Sequence, residues 1–168
     1  MAAAAALGVS LTGMSKKNSS SRHGLDEGVL GEIVGYQVVR AQITTHALFM
    51  RHVGDPLDLR PVEYSLLLLL QANEQVTPKQ LAQTLVLTAP KLTILLDRLQ
   101  ERGLINRVRS DTDGRSQHVL LTDAGAELAR QGSDTARLIE MSLDDVLSPA
   151  ERAMLMELLK KVAASHRG

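Results

Sequence analysis

A chain of 168 residues, 44% hydrophobic and 23% charged, is long enough to bury one core without covalent staples, and with aromatic residues at 2% that core has to be aliphatic. The absence of cysteine excludes disulfide frameworks, cysteine zinc sites and thiol chemistry together. Because 19 basic residues balance 19 acidic ones, any affinity for nucleic acid must come from local segregation of charge.

Residues 1–27 read as a flexible arm, alanine-rich and then polar through Ser15 to Ser21, with Met14 as a possible internal start. The apolar stretch at residues 2–11 lacks a preceding basic region and is too short to span a bilayer, so the expectation is a cytoplasmic chain with no membrane partner. From Gly28 to Val53 the residues Ile33, Tyr36, Arg40, Ile43, Ala47 and Met50 follow a three-four rhythm, which predicts one long helix. Gly54-Asp55-Pro56 is expected to break it. Asp58 is placed to cap a second helix running to about Ala72, deeply buried through Leu66 to Leu70.

Thr77-Pro78-Lys79-Gln80 joins a threonine cap, a first-turn proline and a returning glutamine, the chemistry of a capping box opening a short third helix. Thr88 is placed to cap a fourth, with Leu92, Leu95, Leu96 and Leu99 as its buried face and Gly103 as its end. Two short runs, residues 104–109 and 117–121, flank Asp113-Gly114, a strong hairpin signal. Thr122 begins a long fifth helix, and Ser148-Pro149-Ala150-Glu151 opens a last one with Met154, Leu155, Leu158, Leu159 and Val162 facing inward.

Two short helices followed at once by a β-hairpin define a winged helix-turn-helix, whose second helix can enter the major groove of DNA. The fold class is therefore mainly α with a small β-hairpin. Thr88, Ala89, Pro90, Lys91, Thr93 and Ile94 lie mostly off the leucine face. Lys91 can reach phosphate or guanine, and Thr93 can hydrogen-bond a base or touch a thymine methyl. Arg98, one turn on, suits the DNA backbone or a structural ion pair. Between Thr88 and His118 there are six basic residues against four acidic ones, a modest local excess. Arg115, just past the hairpin turn, can project into a narrow minor groove, with Asp113 holding its guanidinium; alternatively Asp113-Gly114 only makes the turn and Arg115 only solvates it.

These stretches, in this order, resemble the MarR (multiple antibiotic resistance regulator) family: Leu81-Ala82, Leu96-Asp97-Arg98-Leu99, Arg102-Gly103-Leu104-Ile105, Asp113-Gly114-Arg115-Ser116 and Leu121-Thr122-Asp123-Ala124-Gly125. The resemblance covers roughly Leu25 to Ala164. It implies a homodimer in which residues 28–58 and 122–168 intertwine as dimerisation helices, leaving residues 59–121 as a winged lobe. It further implies a regulator of palindromic operators, commonly a repressor released by a small aromatic or anionic ligand, with Lys91 and Thr93 reading the major groove and Arg115 the minor groove. This chain departs from the family at Ile94, where a basic residue is common, and at Pro90, which narrows the first-turn contacts.

Tyr36, Arg40, Ile43, Ala47 and Met50 share one face of the first helix and Tyr64 lies on the second, so an aromatic and basic group can converge on an anionic aromatic effector, with His46 and Arg60 as further candidates. The competing reading makes Arg40 an interface ion pair and the tyrosines ordinary buried residues. The five histidines are scattered without metal-ligand spacing, and no nucleophile elbow or phosphate loop is present, so neither a metal, a cofactor nor an enzyme is expected. The alternative to a DNA-binding regulator is a winged-helix module that uses the same surface for protein partners.

Overall fold

The computed structural model describes residues 25–109 and 117–165. Most of the expected arm, and the wing tip with Asp113 and Arg115, lie outside the described residues. The chain divides into two compact units, Met1–Arg40 and Ala41–Gly168.

In the first unit the expected unbroken helix from Gly28 is corrected. Gly28–Glu32 forms a 3-10 turn, Ile33 is extended, and the helix proper, α1 (Val34–Phe49), starts after it. Gly28 sits at φ +51, a conformation that glycine adopts without strain, and a second glycine at position 31 weakens helix propagation further.

In the second unit the expected break at residues 54–56 is also corrected. The chain stays helical through a π-helical turn, Met50–Gly54, into a short helix, α2 (Asp55–Leu57). A π turn shifts the hydrogen-bond register, which accommodates Pro56 despite its missing N–H. Gly54 permits the bulge, because a Cβ there would lie 2.6 Å from Met50 Sδ and 3.2 Å from the Phe49 ring. The true break is Asp58, in the left-handed region at φ 47. Arg60, not Asp58, is the cap of α3 (Pro61–Ala72): its backbone N–H donates to Glu63 Oε2 at 2.8 Å.

The helix-turn-helix follows as α4 (Pro78–Thr84) and α5 (Ala89–Glu101). The expected capping box is formed, with Gln80 N–H donating to Thr77 Oγ1 at 3.3 Å and Thr77 N–H donating to Gln80 Oε1 at 2.8 Å. Gly103, at φ +69, ends α5, with Leu104 N–H returning to the Leu99 carbonyl at 3.0 Å. Strands β1 (Ile105–Arg109) and β2 (Gln117–Leu121) pair antiparallel from Ile105 opposite Leu121 to Arg109 opposite Gln117. Val76, in the turn between α3 and α4, adds a bridge to β2 through Val119 N–H, which donates to its carbonyl at 2.8 Å. The turn thereby becomes a third rung of the sheet.

The core is aliphatic as composition requires. Leu66, Leu67 and Leu70 of α3 meet Leu81 of α4, all four leucines of the α5 face, and Ile105 and Val119 of the hairpin. Helix α6 (Asp123–Asp144) starts at Thr122, whose hydroxyl accepts from Gly125 N–H at 3.0 Å, and α7 (Pro149–Ala164) starts at the Ser148–Glu151 box. The inward face expected for α7 is not covered by its own chain: Met154, Leu155, Leu158, Leu159 and Val162 are exposed. No helix among the described residues is long and apolar enough to cross a membrane.

Candidate nucleic-acid interface

The candidate surface follows from how α5 is seated. Leu92, Leu95, Leu96 and Leu99 bury one stripe, which turns Thr88, Ala89, Pro90, Lys91, Thr93 and Ile94 to solvent. Thr88 is the cap by backbone alone: its carbonyl accepts from Leu92 N–H at 3.0 Å, but its side chain makes no capping hydrogen bond, contrary to the expected role of its hydroxyl. The first-turn amides therefore lack a side-chain cap and sit at the positive end of the helix dipole, where an anion is favoured. Lys91 is exposed and has no ion pair among the described residues. Thr93 Oγ1 donates to the Ala89 carbonyl at 3.0 Å, so its proton is committed to the helix.

Much of the basic excess counted along this stretch is used internally. Arg98 Nε lies 3.2 Å from Glu63 Oε1, and Arg102 Nη1 lies 3.6 Å from Glu63 Oε2. Arg102 Nη2 also donates to the Asp58 carbonyl at 2.9 Å. Glu63 is 1% exposed, so this cluster ties the far half of α5 to α3 and to the turn before it. Arg98 thus occupies the structural pairing that its position allowed. Arg107 of β1 pairs with Asp97 and donates from Nε to Gln100 Oε1 at 2.7 Å, which locks the wing strand to the solvent side of α5. Sequence reasoning missed Glu63 as the hub of this cluster. The local signal was its position three residues after the cap Arg60, with proline between them.

At the root of the wing, His118 Nδ1 lies 2.9 Å from the Gln75 carbonyl, which places the ring proton on Nδ1. Gln75 itself is left-handed at φ 52. Arg109 is exposed at the end of β1, from which the chain leads toward Asp113 and Arg115, outside the described residues.

The candidate effector residues fall in both units, Tyr36 and Arg40 in the first and His46, Met50 and Tyr64 in the second. Arg40 pairs with Glu27, and its guanidinium stands 5.7 Å from the centre of the Tyr36 ring, so an anion at Arg40 has to compete with Glu27. His46 is exposed, whereas Met50 packs under Gly54. Tyr64 stacks edge-on against Phe49 with ring centres 5.4 Å apart and donates a long hydrogen bond, 3.4 Å, to the Gly132 carbonyl; burial pushes its hydroxyl pKa up. Phe49, which sequence reasoning did not select, is thus the aromatic partner of Tyr64. No group of three or more His, Asp or Glu residues able to hold a metal occurs among the described residues.

A buried leucine stripe, an exposed first turn and a hairpin fastened to the same helix define a winged helix-turn-helix protein. Comparison with known proteins gives its family. A family model described as MarR family matches residues 57–116. The multiple antibiotic resistance protein MarR of Escherichia coli is 32% identical over 112 residues, covering 64% of this chain and 75% of that protein. The organic hydroperoxide resistance transcriptional regulator of Bacillus subtilis is 39% identical over 80 residues, 48% of this chain and 54% of the regulator, so the alignment spans about half of that relative's length. Among solved structures, the transcriptional repressor CouR bound to a 23-mer DNA duplex superposes with a TM-score of 0.77 at 35% identity, covering 83% of this chain and 98% of CouR. CouR bound to p-coumaroyl-CoA gives a TM-score of 0.74 at 33% identity, covering 83% and 97%. The chain belongs to the MarR family of DNA-binding transcriptional regulators.

Proposed function

We propose that two copies of this chain bind a palindromic operator and repress transcription, each inserting the first two turns of α5 into the major groove while Arg115 reaches the adjacent minor groove. The observation that carries this reading is the seating of α5: the leucine stripe commits one face to the core and leaves Thr88 to Ile94 outward, with Lys91 unpaired among the described residues. Residues 28–58 and 122–168 supply the dimer contacts and residues 59–121 the reading lobe. Exposed apolar residues on α1 and α7, such as Val38, Ile43, Leu155 and Leu158, suit burial against a second copy. The chain acts by binding and not by catalysis.

We further propose that a small anionic or aromatic ligand releases the DNA, with Tyr36, Arg40, His46, Met50 and Tyr64 as its contacts. The pairing of Arg40 with Glu27 supports a carboxylate-for-carboxylate exchange, in which the ligand's acid replaces Glu27 on the guanidinium.

Selection of bound duplexes from a random pool, followed by screening of aromatic acids and their thioesters for release, tests both parts. One palindromic site should enrich, and Arg115→Ala should weaken binding to nearly all sequences, most where the minor groove is narrow. Arg40→Ala should blunt release without abolishing DNA binding. Failure of any sequence to enrich contradicts the DNA reading; unchanged release by every acid contradicts the effector reading alone.

A further inference from the structure

The outward face of α5 is unusually poor in groups that can read bases by hydrogen bonding. Ile94 is 68% exposed and lies almost diametrically opposite Leu92, Leu95, Leu96 and Leu99 on the helix. Nothing in the core explains an isoleucine there. Ala89 and Pro90, on the turn before it, offer only carbon from their side chains, and Thr93, beside it, has given its hydroxyl proton to the Ala89 carbonyl. One turn beyond Ile94 the outward side chains become acidic, Asp97 and Glu101, with Asp97 held by Arg107. The Asp97 and Arg98 side chains there are already paired within the chain, so it is the N-terminal half, with its carbon surface and Lys91, that is left for the groove.

The major groove presents one apolar feature, the C5-methyl of thymine. We propose that Ile94, with Pro90 one turn before it on the same face, is a specificity-determining residue that packs on thymine methyl groups, so that each half-site carries thymine at the step α5 faces. Lys91 then supplies the polar contact beside this patch. The inference rests on the reading of α5 as the groove-entering helix and adds which base it selects.

Deoxyuridine lacks only the methyl of thymidine and keeps its pairing edge and major-groove acceptor. Each thymine of the duplex enriched by selection is replaced in turn by deoxyuridine, and binding is measured by fluorescence anisotropy for the wild type and for Ile94→Ala. The wild type should lose about 4-fold in affinity for a methyl contact in one half-site, the equivalent of about 0.8 kcal/mol for one buried carbon group, and roughly the square of that when both half-sites are changed. Ile94→Ala, which removes the contact from both protomers, should bind the thymine duplex about as weakly as the wild type binds the duplex changed in both half-sites, and should no longer distinguish thymine from deoxyuridine at that step. Ile94→Val, which keeps a branched carbon surface, should retain part of the discrimination. If a sequence enriches but no deoxyuridine substitution matters, or if Ile94→Ala is as sensitive to it as the wild type, methyl reading is wrong while DNA binding stands, and a protein partner becomes the use of Ile94. If no sequence enriches, the DNA reading falls and the inference falls with it.

Discussion

Glu63 shows how one side chain can govern a surface it does not reach. Its carboxylate is buried, accepts the Arg60 N–H at 2.8 Å, and faces two guanidinium groups on α5. A buried carboxylate is costly unless paired, and removing one partner strands the rest. Glu63→Ala should therefore lower stability by about 2 kcal/mol or more, somewhat less than for a fully enclosed pair because solvent reaches Arg98 and Arg102; a chemical denaturation midpoint measures it, and an unshifted midpoint would contradict the assigned role. Gly125 is a second such point. A Cβ there would stand 1.9 Å from the Leu104 carbonyl oxygen, the same oxygen that accepts Thr122 N–H at 3.1 Å. Gly125→Ala must push α6 off the root of the wing, at a cost of ~3 kcal/mol or more, readable as a lower Tm; a neutral substitution would show that the contact relaxes freely.

Among the elements, the caps carry the boundaries. In α7 the Ser148 hydroxyl and backbone N–H both donate to Glu151 and hold its carboxyl below its ordinary value of 4.5. A carboxylate with a lowered folded pKa adds stability that is complete above the unfolded value and is lost as the pH falls through the folded one. Wild type should therefore be more stable than Glu151→Gln above about pH 5, and the difference should shrink steadily in acid, as followed by helical circular dichroism during thermal melts. A difference independent of pH would contradict the ionic part of the cap.

The same logic explains what could be read in advance. Thr77-Pro78-x-Gln80 and Ser148-Pro149-x-Glu151 are local chemistry, complete within four residues, so their helices begin where the sequence places them. The leucine spacing of α5 likewise orients its outward face. Gly54 and Pro56 ordinarily end helices, which is why the sequence points to a break there, whereas the π turn over Met50–Gly54 carries the chain into α2 and Asp58 makes the break. Glu63, Arg98, Arg102 and Arg107 were legible as charges but not as a network, since their partners come from other elements. Three of the arginines that raised the local charge therefore fasten α5 in place.

The proposed assembly rests on the apolar surface left uncovered on α7. Met154, Leu155, Leu158, Leu159 and Val162 remain exposed, although their spacing is that of a buried face. Leu158→Glu places a charge within the proposed contact and should shift the chain from dimer to monomer at micromolar concentration in analytical ultracentrifugation, with operator affinity falling as the second half-site is lost. A wild-type chain already monomeric at that concentration would contradict the assembly.

If the first turns of α5 meet DNA, the salt dependence of binding reports it. Each phosphate neutralised by a lysine adds nearly one to the slope of log affinity against log salt. If Lys91 makes such a contact in both half-sites, Lys91→Ala should reduce the magnitude of that slope by about two while the selected sequence stays the same. An unchanged slope with unchanged affinity would contradict the claim that this turn lies in the groove.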